Sequence, residues 1–486
     1  MGPCHRWIVR SLSVVALSVV ALPASAQLGC LGGGPSLPGG GGMLGGGGMP
    51  GGNLPMDGLP DLPRTPSTPR APSVRAPTLP LPAATSAVRP TVGGLLRQTK
   101  ALSGQSLIAL HGQQVRALIR DHADVIDVDD HGQAVVRSEV LILSPSPQSL
   151  AIARKAGFSV GAETPLEGLG LSTVTLSPPP GVSAREAVRR LKALDPQGQY
   201  DFNHIYLGAG IVIASSRGAV AGGGKGGPAV RIGLVDGGVA AHPSLGAVEQ
   251  RGFAPGGVRV SAHGTAVASL MVGHGGAFRG AAPGARLLVA DVYGGSPTGG
   301  SAAIIAQALS WMAQNRVPVI NISLVGPPNL TLQAAVAALV ARGHLVVAAV
   351  GNDGPAAPPL YPAAYPGVVS VTGVDARRKV LPEAGRGGHV DFAAPGADMA
   401  GASTQGGYLA LRGTSFAAPL VAGRLALALP SPDRAGAARA VADLSRQAVD
   451  LGARGPDPIY GKGLVAFDLR TAPTAVGAGH VLLAGE

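Results

Sequence analysis

The sequence predicts an α/β protein: a three-layer α/β/α domain with a mostly parallel sheet, preceded by a small α+β domain of the ferredoxin-like, split-βαβ kind. Three observations predict it. From residue 229 onward, near-continuous apolar strands alternate with helices rich in small residues, the pattern of a parallel sheet covered on both faces. From about residue 139 to 207 the strand and helix patterns follow the order βαββαβ. The large excess of Gly (75) and Pro (43) in the 486 residues is local, so it marks segments attached to globular domains and not a fibrous chain.

The N-terminus reads as an export signal over residues 1–26. Met1–Arg10 is basic, Ser11–Leu22 is apolar, and Ala24-Ser25-Ala26 offers a small-x-small cleavage site. An apolar run of about 12 residues is too short to span a bilayer, so no transmembrane segment is expected once the signal is removed. Residues 27–92 follow as a disordered linker: 15 Gly lie within 29–60, and Pro then recurs from Pro60. Such segments bury too little apolar surface to offset their ordering entropy. Removing the signal leaves Cys30 as the sole cysteine, so no internal disulfide is expected. Its Leu28-Gly29-Cys30 setting leaves lipid anchoring as a secondary alternative to a secreted or periplasmic location.

Charge excludes one class of function. The net charge of +11 is spread as +4 over 1–92, +2 over 93–228 and +5 over 229–486, with Arg377, Arg378 and Lys379 as the only basic run. Nucleic-acid binding would want a concentrated basic face, and none is expected.

Residues 93–207 hold the first folded region. Helical spacing covers Leu107–Ala123, and an acidic turn follows around Asp127–Asp130. The βαββαβ unit then runs through the strand Val140–Leu143, the helix Pro147–Ala156, an irregular hairpin leading to the strand Leu171–Leu176, a helix capped by Ser183, and the strand Tyr200–Leu207. It carries no catalytic cluster, since His204 stands alone. Residues 208–228 return to Gly-rich low complexity and are expected to be an accessible processing linker.

The segment 229–470 carries the chemistry, with a tail at 471–486. Expected strands are Val230–Val235, Arg286–Val292, Val317–Ser323, Leu345–Val350 and Val368–Val374, with helices at Thr265–Gly273, Ser301–Asn315 and Thr331–Arg342. Sites in such sheets form beyond the carboxyl ends of the strands. Four polar residues fall at such places: Asp236 at the end of RIGLVD, His263 opening HGTAVASLMVG, Asn352 in the turn GNDG, and Ser415 in GTSFAAP before an apolar helix. A serine hydroxyl becomes a nucleophile when an imidazole takes its proton, and a carboxylate fixes the tautomer of that imidazole. A side-chain amide can bind the developing oxyanion. Each role has one candidate here. Taken singly, each residue could instead be a turn or a helix cap.

In their order and context these motifs resemble the subtilisin-like serine proteases, the subtilases: VDGGV, HGTAVA, AAVGNDG and GTSFAAPLVAG, with further matches such as NISLVG and YPAAYPGVVSVTGVD. The resemblance implies an endopeptidase with protein or peptide substrates. Asp236, His263 and Ser415 would be catalytic, and Asn352 would serve the oxyanion hole. Ser323, Leu324, Val325 and Gly326 would pair with an extended substrate, and Ala348, Ala349, Val350 and Gly351 would line the first specificity pocket. The βαββαβ segment ending in YDFNHIYLG is similar to the propeptides of such enzymes, which occupy the cleft as intramolecular inhibitors until cleaved. No cofactor is required. Relatives often bind calcium, but no dense carboxylate cluster marks a metal site. Two positions depart from the pattern: Gly237 stands where Ser or Thr usually supports the aspartate, and Leu420 follows Pro419. Gly237 keeps a second reading open, a catalytically impaired peptide-binding protein.

Overall fold

The computed structural model describes residues 104–215 and 230–478. The expected signal segment, the 27–92 linker, Cys30, residues 216–229 and the last eight residues lie outside the described residues.

The first described helix is α1 (Gly104–Asp121), followed by β1 (Ile126–Val128), β2 (Ala134–Leu143), α2 (Pro147–Lys155), β3 (Ser159–Leu166), β4 (Leu171–Ser177), α3 (Ala184–Leu194) and β5 (Tyr200–His204). The five strands form one antiparallel sheet, in the order β1-β2-β4-β3 with β5 pairing β2. Helices α2 and α3 start where Ser146 and Ser183 accept from the backbone N–H three residues on. They pack Ala153, Ala187, Val188 and Leu191 against Val140, Ile142, Val174 and Leu176 of the sheet.

The larger layer follows β6 (Leu207–Gly208) and β7 (Ile211–Ser215), and begins with β8 (Arg231–Asp236), β9 (Val248–Gly252) and α4 (Ala262–Val272). A short hairpin, β10 (His274–Gly275) and β11 (Phe278–Arg279), leads to β12 (Arg286–Asp291), α5 (Ala302–Gln314), β13 (Val319–Ile322), β14 (Leu324–Val325), α6 (Leu330–Ala341), β15 (Leu345–Ala349) and β16 (Val369–Val374). β17 (Phe392–Pro395), β18 (Ala397–Ala402), β19 (Tyr408–Arg412), α7 (Ala418–Ala428) and α8 (Arg434–Gln447) complete it. Seven strands form a parallel sheet in the order β17-β16-β15-β13-β8-β12-β9. Helices α4, α7 and α8 build the apolar core on one face, and α5 and α6 that on the other. This is the three-layer α/β/α arrangement that the apolar strands predict.

The two sheets meet over the starts of α5 and α6, where helix N-termini leave backbone donors without partners. The N-cap Ser301 of α5 makes no side-chain cap bond. Instead Asn203 Oδ1 accepts from Ala303 N at 3.1 Å, and Asp201 Oδ2 accepts from Leu330 N at 2.7 Å at the head of α6. Nearby, His204 lies buried between Asp129 (Nε2 to Oδ2, 3.1 Å) and Asn329 (Nδ1 to Nδ2, 3.2 Å). The small domain therefore completes two helices of the larger one.

Two expectations differ. Residues 208–215, expected as the start of an open linker, are largely strand: β6 pairs with β14 and β7 with β19. The β-branched run Ile211-Val212-Ile213 has strand propensity of its own, and the sheet edges supply the partners. The first part of the expected tail is also docked, since Ala400 N donates to Thr471 O at 2.9 Å and Ala478 is buried. Among the described residues no helix is long and apolar enough to cross a membrane.

Candidate active site

Asp236 ends β8 and is 1% exposed. Its Oδ1 accepts from Gly237 N at 2.7 Å, so a backbone N–H supports the carboxylate where a hydroxyl was expected to be needed. A Cβ at residue 237 would lie 2.5 Å from Ser261 Cβ, which leaves no room there for a larger residue. Gly237 thus offers the carboxylate a backbone N–H and no side-chain hydroxyl.

Ser261 caps α4 by accepting from Gly264 N, and this sets His263 at the mouth of the helix. His263 Nδ1 stands 2.8 Å from Asp236 Oδ2 and 3.1 Å from Oδ1, and its Nε2 stands 3.0 Å from Ser415 Oγ. A carboxylate accepts only, so Nδ1 carries the proton and Nε2 faces the hydroxyl as an acceptor. Ser415 lies in the 3₁₀ turn Thr414–Phe416 that leads into α7. Its carbonyl accepts from Ser323 Oγ at 3.0 Å, and Ser323 Oγ accepts in turn from Asn321 Nδ2 at 2.9 Å. The ring of Phe416 lies 5.3 Å from the imidazole.

Asn352 follows Gly351, whose φ of +94° suits glycine. Its Oδ1 accepts from Thr414 N at 3.1 Å, which fixes the amide so that Nδ2 donates to the carbonyl of Ala209. The cleft is thus occupied by this chain's own segment 206–210. Tyr206 N donates to Gly300 O at 2.9 Å, Gly208 and Leu207 pair with Leu324 and Val325, and Ala209 N donates to Ser323 O at 3.2 Å. Gly210 lies against Ser415 Oγ so closely that a Cβ there would collide with it. The peptide bond between Ala209 and Gly210 therefore lies beneath the serine, with its carbonyl on the asparagine amide.

The expected pocket residues divide between the faces of the sheet. Ala349 and Val325 share an apolar cluster with Ala209 and Leu360, and Val350 is buried beside them in sequence. Ala348 and Leu324 pack in the opposite cluster, with Tyr206. Ala348 thus packs on the face that holds Tyr206 and Ala349 on the face that holds Ala209, because alternate residues of a strand face opposite sides. Gly326 lies against the Tyr206 ring.

Sequence reasoning missed three contributors. Gly300 supplies a second edge to the occupying segment. Leu360 closes over Gly351, where a Cβ would lie 2.5 Å from its Cδ1. Helix α1 reaches the site, with His111 Nδ1 at 2.9 Å from Asp353 Oδ2 and Ile108 against Gly354. Helical spacing announced α1, but nothing in the sequence says where it docks. His242 is apart from the site: its Nε2 donates to Gly407 O at 2.8 Å, and burial holds its pKa below the usual imidazole value. Among the described residues, no group of three or more His, Cys, Asp or Glu side chains is arranged to hold a metal ion.

Residues 227–463 match the subtilase family, peptidase S8. Subtilisin Savinase of Lederbergia lenta is 34% identical over 251 residues, which span 50% of this chain and 91% of that protein. The chain belongs to the subtilase family. Another subtilase, subtilisin DY of Bacillus licheniformis, is 34% identical over 246 residues, 49% of this chain and 88% of its own length. Among solved structures, fervidolysin from Fervidobacterium pennivorans, a keratinolytic enzyme related to subtilisin, shares the fold with a TM-score of 0.58 at 20% identity, over 73% of this chain and 63% of that one. Like the subtilisins it resembles, this subtilase is a serine endopeptidase.

Proposed function

We propose that this subtilase is made as an exported, self-inhibited precursor, and that Asp236, His263 and Ser415 cut its own Ala209–Gly210 bond before the enzyme turns to other proteins. One observation carries the reading: the Ala209 carbonyl accepts from Asn352 Nδ2 while Gly210 lies under Ser415 Oγ. Substrate, nucleophile and oxyanion donor are in register within one chain.

The steps follow from these positions. Ser415 Oγ attacks the Ala209 carbonyl carbon as His263 Nε2 takes its proton. Asp236 holds the imidazole in the tautomer that makes this transfer productive and stabilises the imidazolium. Negative charge on the former carbonyl oxygen is met by Asn352 Nδ2 and by the Ser415 backbone N–H. Collapse breaks the carbon–nitrogen bond, His263 returns the proton to the Gly210 amine, and water then releases Ala209 from Ser415. The small domain, its last residues lying in the cleft, acts as inhibitor until it is removed. Protein or peptide substrates later take the place of residues 206–210, and no cofactor enters any step. Calcium, if bound, would have a structural role.

Export rests on the sequence of residues 1–26 alone. Intact mass of the mature N-terminus tests it, and a lipid-bearing Cys30 would mark the anchored alternative. The peptidase reading is tested by expressing the full chain beside Ser415→Ala. The wild type should lose its N-terminal region and react with a fluorophosphonate, while the variant stays whole and unlabelled. Equal processing of both without labelling would leave a peptide-binding protein as the better account.

A further inference from the structure

Two residues of the occupying segment are buried, Ala209 at the cut and Tyr206, which carries by far the larger side chain. Tyr206 is fully buried, whereas Leu207 and Gly208 are only partly covered. Its ring lies on Gly326, where a Cβ would come within 2.5 Å of Cδ1 and 2.8 Å of Cε1. Leu324 and Tyr365 share its apolar cluster, with Tyr293 and Tyr361 packed against it. At the far end of the ring, the Tyr206 hydroxyl donates to Pro327 O at 2.7 Å. Burial pushes that hydroxyl's pKa well above its ordinary value, so it remains a donor across the working pH range. The main chain is held as well, by Gly300 O on its N–H and by the Tyr293 hydroxyl on its carbonyl at 3.2 Å.

We infer that this pocket selects tyrosine over phenylalanine three residues before the residue that supplies the scissile carbonyl, in other substrates as in the chain's own segment. The inference rests on the reading that residues 206–210 lie in the cleft as a substrate does. The selection arises at Pro327. A carbonyl can only accept, and a ring seated on Gly326 brings a hydroxyl to it with nothing to spare. Phenylalanine would fill the same space and leave the carbonyl facing an aromatic C–H. The bond is part-buried, and an acceptor there left without its donor is what a hydroxyl-reading site discriminates against. A smaller side chain loses the ring contacts as well as the hydrogen bond. The class of substrate is therefore an extended protein segment with tyrosine at this place and a small residue, as in Tyr-Leu-Gly-Ala, at the cut.

The test uses enzyme matured from the full chain and four peptides that differ only at this position: Tyr, Phe, O-methyltyrosine and Ala, each followed by Leu-Gly-Ala-Gly-Ile. They compete in one tube, and mass spectrometry reads their relative kcat/KM. The Tyr peptide should lead Phe by about tenfold, the worth of one neutral buried hydrogen bond. O-methyltyrosine should fall below Phe, because it cannot donate and its methyl meets Pro327. Equal rates for Tyr and Phe, or a lead for Phe, would overturn the inference, as would failure to cut any of the four by an enzyme that a fluorophosphonate labels and that digests casein. An enzyme that neither labels nor digests casein would instead overturn the peptidase reading, and this inference with it.

Discussion

Replacing Gly210 by alanine adds one methyl group at the point where the account is most exposed. Gly210 has an ordinary negative-φ or extended backbone, so alanine suits the chain itself. The new Cβ collides with Ser415 Oγ and lies 2.8 and 3.0 Å from Phe416 Cε2 and Cζ. Turning the Ser415 hydroxyl away would relieve the clash but break its 3.0 Å contact with His263. Shifting the segment or turning the hydroxyl misplaces the reacting atoms by roughly 1 Å, which costs on the order of 100-fold in rate. The assay follows the first-order appearance of cleaved chain by intact mass. Gly246→Ala is the control, because nothing lies within 4 Å of a Cβ there. Gly210→Ala should process about 100-fold more slowly and Gly246→Ala normally. Processing of Gly210→Ala at the wild-type rate would refute the placement of the 209–210 bond beneath Ser415.

Other outcomes follow from the same geometry. Asn352→Ala removes the donor on the Ala209 carbonyl and should lower kcat by about 10²–10³-fold in steady-state assays, with a much smaller change in KM. Arg412→Ala leaves Glu383, whose side chain is 3% exposed, without its guanidinium partner at 2.8 Å. Denaturant unfolding in a Ser415→Ala background should show a loss of about 3–5 kcal/mol, much of it recovered by replacing both residues with apolar ones. Burial pushes the Asp129 carboxyl up, but hydrogen bonds from His204 and the N–H groups of Gln133 and His131 outweigh it, so its pKa lies below the ordinary 3.8. A carboxyl depressed in the folded state contributes stability above 3.8 that is lost as pH falls through its lower folded value. Thermal melts of the Ser415→Ala precursor should therefore fall as pH drops below 3.8, and Asp129→Asn should flatten that part of the profile.

The main sheet was legible, and the candidate catalytic residues could be named, because both follow from local patterns. Strands such as Arg286–Asp291 are continuous apolar runs, and Asp236, His263, Asn352 and Ser415 each carry recognisable neighbours. What escaped the sequence depends on contacts between distant segments. Residues 208–215 read as linker because they were grouped with the Gly-rich stretch after them, although Ile211-Val212-Ile213 is a strand-forming run that pairs with Tyr408–Arg412. Ala348 was grouped with Ala349 by adjacency, although strand alternation places them in opposite cores. The support that Gly237 gives Asp236 is a backbone N–H, which no side-chain pattern reveals. Helix α1 was anticipated, but its His111–Asp353 contact spans 242 positions of sequence.

On the proposed function, Ser415 first cuts this chain between Ala209 and Gly210. Time-resolved intact-mass analysis of freshly folded full-length protein tests it most directly. The earliest fragments should end at Ala209 and begin at Gly210, with no such pair from Ser415→Ala. A first cut elsewhere, or the same pair from Ser415→Ala, would contradict it.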